Sequence, residues 1–171
     1  MKNKRVTTFL ILALFATILL SYQYVKLRFE YNNLRSEAKY EFMQHLSLSL
    51  SSASVVDINK INEGDKGNIE ELRRMNEEIN KLSSIPEIVS EQDFVLVDKA
   101  DMIACELIMM NILTKINKEK LTEEDGRAFN LLGQDLKLIY GYVDKNEKFG
   151  RKKYETEVSP NLKILKPFHM D

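Results

Sequence analysis

The chain has few of the residues that interrupt helices or cross-link a fold. Its 171 residues include six glycines, three prolines, one cysteine and no tryptophan. So few glycines and prolines are typical of long helices rather than of a turn-rich β fold. The single cysteine, Cys105, excludes an internal disulfide and a cysteine-rich metal site. Because Cys105 lies in the apolar run MIACELIMM, we expect a buried, inert thiol rather than a nucleophile.

The sequence also lacks a strong net charge and the common catalytic motifs. The formal net charge is −1 at pH 7, with 44% hydrophobic and 30% charged residues. This balance is typical of a globular protein and argues against nucleic acid as a partner. No phosphate-binding glycine loop, dinucleotide fingerprint or nucleophile elbow occurs in the sequence. We therefore expect a protein that is not an enzyme, with no cofactor and no metal site.

The residues that could bind a metal are poorly placed for it. The two histidines, His45 and His169, lack the spacing that puts two ligands on one helical face, so we expect both at the surface or the rim. The segment DINKINEGDKGN begins like a calcium loop. Its fifth, sixth and twelfth places hold Ile61, Asn62 and Asn68, where an oxygen ligand, a glycine and a glutamate are required. The segment is better explained as a helix end followed by a turn.

One long hydrophobic run is present, TTFLILALFATILLSYQY. From Val6 to Val25 there are 20 residues without a charge, which as a helix would be about 30 Å long, the thickness of one hydrocarbon core. The sequence therefore predicts a transmembrane anchor at residues 6–25, after a short basic tail at residues 1–5. Aromatic and basic side chains suited to the membrane interface are predicted at the end of the span: Tyr22, Tyr24, Lys26 and Arg28.

Two other interpretations of this run fit less well. A cleaved secretory signal needs small residues before the cut, whereas ILLSYQYVK offers bulky ones. A pilin-type stem needs a glycine before the run and an acid near its start, and KRVTTFLIL has neither. Basic residues flank the run almost equally, so the positive-inside rule is nearly balanced. The compact, acid-free start favours a cytoplasmic N-terminus in the cytoplasmic membrane, with an extracytoplasmic C-terminal domain.

The rest of the chain predicts an all-α fold, an up-down antiparallel bundle of about four helices at residues 26–148. Apolar residues at steps of three and four from Tyr24 to Ala53 indicate that the anchor continues into a long stalk-like helix. We expect the lower part of this helix to project as a stalk or to pair with another copy. The predicted helices are 26–62, 68–84, 91–118 and 123–147. A basic C-terminal tail follows at residues 149–171.

One segment is ambiguous between helix and strand. HLSLSLSSASVV alternates leucine and serine like a strand with one wet face. A helix also places its leucines together, and a lone strand would have no strong partner, so residues 46–56 favour helix. We expect the serines of this segment to lie on the helix surface.

The third predicted helix is apolar on nearly all sides, which is typical of a buried central helix. A second membrane span is the alternative, but the apolar run is short and carries Glu106. Glu106 is thus a candidate buried polar switch, or else an acid at the bundle edge paired with a Lys or Arg. The methionines of this helix should share a face and fill the core: Met102, Met109 and Met110.

The charge distribution suggests internal docking. Acids dominate residues 63–93 and bases dominate residues 145–166, so the acidic helix and the basic tail could dock on each other. Alternatively, the tail meets an anionic lipid or wall surface. These features favour a membrane-anchored interaction, scaffold or accessory module of an envelope complex. Its partners would be the lipid bilayer and either a membrane or envelope protein or a second copy. The alternative is a ligand-sensing bundle that signals through a membrane partner.

Overall fold

The computed structural model describes residues 2–85, 97–145 and 151–165. Across these three ranges the fold is all-α, with no strand, so the prediction of an all-α fold is confirmed. The chain divides into two compact units, residues 1–37 and 38–171. The helices are α1 (Lys2–Val55), α2 (Ile58–Asn62), α3 (Lys66–Ser84), α4 (Lys99–Ile116), α5 (Glu123–Lys145) and α6 (Arg151–Glu157), followed by a 3-10 turn at Ser159–Asn161.

The first unit is a single stretch of α1 with an exposed apolar surface. Every side chain from residue 12 to residue 30 is exposed. The Thr17 hydroxyl donates to the carbonyl oxygen of Ala13 one turn earlier at 2.8 Å, which satisfies the hydroxyl within the helix. The side chains of residues 6–11, the first part of the predicted span, lie outside the described residues. Within the part of the chain that the structure describes, no helix has both the length and the apolar character needed to cross a membrane.

The predicted helix at residues 26–62 is interrupted. Residues 46–55 are helical, as expected, but α1 ends at Val55. Asp57 has an extended backbone and its side chain accepts a hydrogen bond from the Asn59 amide at 2.9 Å, so it caps the start of α2. The prediction of one helix through residue 62 is wrong because this cap restarts the helix. Gly64, with φ +85°, then provides the left-handed turn before α3.

The second unit is a helical bundle with one apolar core. Buried side chains come from the C-terminal part of α1 and from α3, α4, α5 and α6, for example Leu46, Leu72, Ile112, Leu136 and Tyr154. Position 45 of α1 contacts position 78 of α3, whereas position 52 contacts position 71. From the first contact to the second, the residue number rises along α1 and falls along α3. The C-terminal part of α1 is therefore antiparallel to α3.

Helix α4 starts later and is less buried than its sequence predicts. Asp98 accepts a hydrogen bond from the Ala100 amide at 3.0 Å and caps the helix. Residues 97 and 98 are not helical, so the prediction of one continuous helix over residues 91–118 is wrong at these two positions, and residues 91–96 lie outside the described residues. The expectation of burial on nearly all sides is also wrong, because three apolar residues form an exposed face: Ile103, Leu107 and Met110.

The predicted basic tail is part of the bundle where it is described. Residues 151–165 form α6, the 3-10 turn and a short extension, which we call the C-terminal segment. Four of its side chains are buried: Tyr154, Val158, Leu162 and Leu165. The sequence left open whether this tail is ordered, and the apolar residues between its basic residues enter the core. The remaining tail residues, 149–150 and 166–171, lie outside the described residues, and His169 is among them.

Candidate functional site: buried carboxylates and exposed apolar faces

Asp135 of α5 binds the end of the C-terminal segment. The carboxylate is 1% exposed and accepts hydrogen bonds from three successive backbone N–H groups. The amide of Lys163 lies 2.8 Å from Oδ1 and 3.0 Å from Oδ2, while the amides of Ile164 and Leu165 lie 2.8 and 3.1 Å from Oδ2. Hydrogen bonds to an ionised acceptor are stronger than neutral ones. Asp135 therefore holds the backbone that follows the 3-10 turn against α5.

Asp101 of α4 holds the other part of this segment. The Tyr154 hydroxyl of α6 donates to Asp101 Oδ2 at 2.5 Å, and both side chains are almost fully buried. Burial, and then the nearby Asp101 carboxylate, raise the pKa of Tyr154 far above its ordinary range. The phenol therefore stays protonated and donates to the carboxylate. The Tyr154 ring also packs edge-to-face on Tyr142, with centroids 5.7 Å apart.

Cys105 lies one turn after Asp101 on α4 and is fully buried. Burial raises the pKa of the thiol well above 9.0, and the charges of Asp101 and Asp135 raise it further. A thiol in this environment stays protonated, is a poor nucleophile and packs as a small apolar group. The expectation that Cys105 is buried is confirmed.

A second buried carboxylate cluster lies between α1 and α3. His45 Nδ1 and Lys81 Nζ each lie 2.6 Å from one oxygen of Glu78, whose side chain is 8% exposed. Burial works against ionisation, but the hydrogen bonds from Lys81 and His45 outweigh it and lower the pKa of Glu78. Sequence reasoning missed this contact, because nothing in the spacing of His45 indicates a partner 33 residues away.

Two serines expected on the surface are buried at the same helix contact. Ser49 donates to the backbone carbonyl of His45 at 2.9 Å, and Ser52 donates to Glu71 Oε2 at 2.8 Å. The surface prediction for these two residues is wrong, because the α1 face that contacts α3 carries serines as well as leucines. Since the Ser49 hydroxyl bonds to the backbone rather than to the His45 ring, the pair does not form a nucleophile and base.

Glu106, the candidate switch, lies at the edge of the bundle. It is half-buried, and the Ser83 hydroxyl of α3 donates to its carboxylate. The buried acid of α4 is Asp101 instead, five residues earlier. Of the two sequence interpretations, the structure favours an edge acid, with a serine rather than a Lys or Arg as the hydrogen-bond partner.

The predicted interface residues follow one another along α1 and do not converge. Tyr22 and Tyr24 are 68% and 65% exposed. Lys26 and Arg28 are also exposed, and Lys26 Nζ lies 3.7 Å from Glu30 Oε1. An exposed ion pair of this kind contributes little stability. These four exposed side chains are therefore accessible to solvent, lipid or a partner protein.

The predicted docking of the basic tail on the acidic helix takes a different form. The C-terminal segment is held by Asp101 of α4 and Asp135 of α5, whereas the acids that suggested the docking lie at residues 63–93, four of the nine on α3. The segment is also held through backbone amides and a phenol rather than through lysine charges alone. The contacts of the segment therefore differ from the docking on residues 63–93 that the charge distribution suggested.

A polar groove lies where the α1–α2 turn meets the start of α5. The side chain of Asn62 links the two sides of the groove. Its Nδ2 donates to the backbone carbonyl of Leu121 at 2.9 Å, and its Oδ1 accepts a hydrogen bond from the backbone N–H of Leu121 at 2.8 Å. Arg127 and Asn130 are exposed along the groove. Within residues 2–85, 97–145 and 151–165, no three His, Cys, Asp or Glu side chains are grouped to hold a metal ion.

No family model matches the chain, and no curated protein or solved structure is significantly similar to it.

Proposed function

We propose that this chain is a single-pass membrane protein whose bundle is an interaction, scaffold or accessory module of a cell-envelope complex. The observation that carries the proposal is the exposure of residues 12–30 of α1. Large apolar side chains from Leu12 to Phe29 are exposed around the helix. Soluble monomers rarely expose contiguous apolar patches above a few hundred Å², whereas lipid solvates such a surface at no cost. Residues 6–25 also lack any charge.

The orientation follows from the charges at the start of the chain. The short basic segment at residues 1–5 is proposed to stay in the cytoplasm, and the bundle to lie outside the cytoplasmic membrane. Protease added to intact cells, or to spheroplasts if an outer membrane is present, should digest the bundle. Survival of the bundle until the cytoplasmic membrane is opened would contradict this orientation.

The state of the reactive side chains supports an interaction role over an enzymatic one. The Cys105 thiol is buried with a raised pKa, the Ser49 hydroxyl bonds to a backbone carbonyl, and the His45 ring contacts Glu78. The described surface offers instead the apolar face of α4, made of Ile103, Leu107 and Met110. Such faces are typical contact sites for other proteins.

Site-directed photo-cross-linking in intact cells tests the proposal. A photoreactive residue in place of Leu107 should give a discrete adduct with another membrane-fraction protein or with a second copy. The matched control is Lys137, an exposed polar position on α5, where we expect no such adduct. Equal adducts at both positions, or none at Leu107, would contradict an interaction role for this face.

The polar groove favours a second candidate function, the sensing of a small polar ligand. Arg127 and Asn130 could bind such a ligand between α2 and α5. Thermal unfolding of the full chain in detergent, screened against amino acids and sugars, would detect binding as a raised midpoint. Sensing predicts a rise that the Arg127→Ala variant abolishes. A rise that persists in Arg127→Ala, or no rise at all, argues against this role.

A further inference from the structure

Five apolar residues of α1, four of them exposed, follow a heptad pattern. Leu20, Tyr24, Leu27, Tyr31 and Leu34 are separated by alternating steps of four and three. This alternation is the spacing of a and d positions in a coiled coil, whose 3.5-residue period keeps one face towards the partner helix. Leu20, Leu27 and Leu34 are 66%, 69% and 56% exposed. We call these five residues the seam.

The charged residues beside the seam fit a second, parallel copy. With Tyr24 at position a, Gln23 and Glu30 occupy position g, while Arg28 and Arg35 occupy position e. In a parallel pair, each g residue lies beside the e residue five positions later in the other helix. Glu30 then meets Arg35 of the second copy, and Gln23 meets Arg28. An antiparallel pair would instead bring g to g and e to e, which places like charges together.

The same spacing continues into the proposed span. Thr17 and Ala13 are the next two positions towards the N-terminus, and both side chains are small. Small residues let helix backbones approach closely in lipid. The Thr17 hydroxyl is already bonded to the Ala13 carbonyl, so no unsatisfied donor enters the contact. Two copies anchored in one membrane with the same orientation would also be parallel.

We propose that residues 13–34 pair with a second copy of this chain as a parallel, two-stranded coiled coil. The inference rests on the proposed function, since the shared membrane anchor fixes the parallel orientation. Phe29 provides a natural comparison, because it is 66% exposed but lies at position f, on the side away from the seam. Exposure alone would treat Phe29 and Leu27 alike, whereas the coiled coil separates them.

Disulfide cross-linking in native membranes tests the pairing. Cys105 is fully buried, so a cysteine introduced at an exposed position is the only thiol expected to react. Leu27→Cys and Leu34→Cys should each give a covalent dimer on mild oxidation, while Phe29→Cys and the unchanged chain stay monomeric. An antiparallel pair cannot bring both positions to their own counterparts. No dimer at Leu27 and Leu34, or equal dimer at Phe29, would overturn the proposal.

A charge exchange tests the register. In the Leu27→Cys background, Glu30→Arg should reduce the dimer by placing two arginines together, and adding Arg35→Glu should restore it. Failure of the double variant to recover would overturn the parallel register. The membranes are washed at high pH before oxidation, which separates the two proposals. If the Leu27→Cys and Leu34→Cys variants stay in the membrane pellet but form no covalent dimer, the coiled coil alone is overturned. If the wash releases the chain from the pellet, the proposed anchor is overturned.

Discussion

At the scale of single residues, Asp135 holds the backbone of residues 163–165 against α5. Backbone N–H groups that follow a helical turn need acceptors, and leaving them unpaired in the interior is costly. One buried carboxylate supplies acceptors for three of them. The chain can therefore continue after the 3-10 turn without leaving these N–H groups unpaired, and the Leu165 side chain is buried in the core.

Replacing Asp135 by Asn should loosen the segment. The amide nitrogen of Asn would face N–H donors, and the charge is lost, so we expect the free energy of unfolding to fall by about 3 kcal/mol. Trypsin should also cleave faster after Lys163. Urea unfolding and limited proteolysis of the full chain in detergent measure both effects. Asp144→Asn, at an exposed position on the same helix, is the control. Equal behaviour of the two variants would contradict the role of Asp135.

Glu78 gives the fold a defined dependence on acid. Its pKa in the folded chain lies below the ordinary value of 4.5, so its ionised form stabilises the fold above that pH. The contribution is lost as pH falls through the lower, folded-state pKa. Glu78→Gln should therefore reduce the free energy of unfolding by about 1–3 kcal/mol at pH 7, and the difference from the unchanged chain should shrink towards pH 3.

Unfolding curves from pH 7 to pH 3 measure this difference. Glu77→Gln is the matched control, since Glu77 is the adjacent, exposed acid on α3 and should change stability little. A gap between Glu78→Gln and the unchanged chain that stays constant in acid would show that Glu78 is not the titrating group.

The buried carboxylates were beyond prediction for specific reasons. Asp135 binds backbone amides, which every residue except proline carries, so no sequence pattern marks its partner. Asp101 lies in the first turn of α4, where an acid is expected simply to complement the helix dipole. Glu106 stood out because apolar residues surround it in the sequence. Burial, however, depends on which face of the helix meets the core.

At the scale of helices, the clarity of the apolar pattern decided what could be predicted. In α5 the apolar residues form one face, and its predicted start at residue 123 matches the structure. In α4 they surround the helix, so the sequence did not fix which side is buried. The break after Val55 was missed because no glycine or proline marks it, and the cap is a single residue, Asp57.

Two adjacent methionines test the orientation of α4. Met109 is fully buried, whereas Met110 is 57% exposed. Met109→Ala should lower the free energy of unfolding by about 2–5 kcal/mol because it leaves a cavity. Met110→Ala should change it by no more than about 0.5 kcal/mol. Urea unfolding of both variants measures the contrast. Similar losses in the two variants, or a larger loss at Met110, would contradict the buried face assigned here.

At the scale of the whole molecule, the two units bury apolar side chains differently. Residues 38–171 enclose a core of apolar side chains. The buried carboxylates beside it accept hydrogen bonds from other parts of the bundle. In residues 1–37 the described apolar side chains stay exposed from Leu12 to Phe29. The composition of the first unit predicts a lipid environment, and the heptad spacing of the seam predicts a second copy. Neither property depends on the packing of the bundle.

The central claim, that α1 anchors the chain in a membrane, is tested by washing native membranes at high pH. We expect the full chain to remain in the pellet. Lysines in place of Leu14, Phe15 and Ile18 should release it, because each charge in a span costs about 2.5–3.5 kcal/mol. Lysines in place of the exposed α4 residues Ile103, Leu107 and Met110 should not. Release of the unchanged chain, or equal retention of the two triple variants, would contradict the membrane anchor.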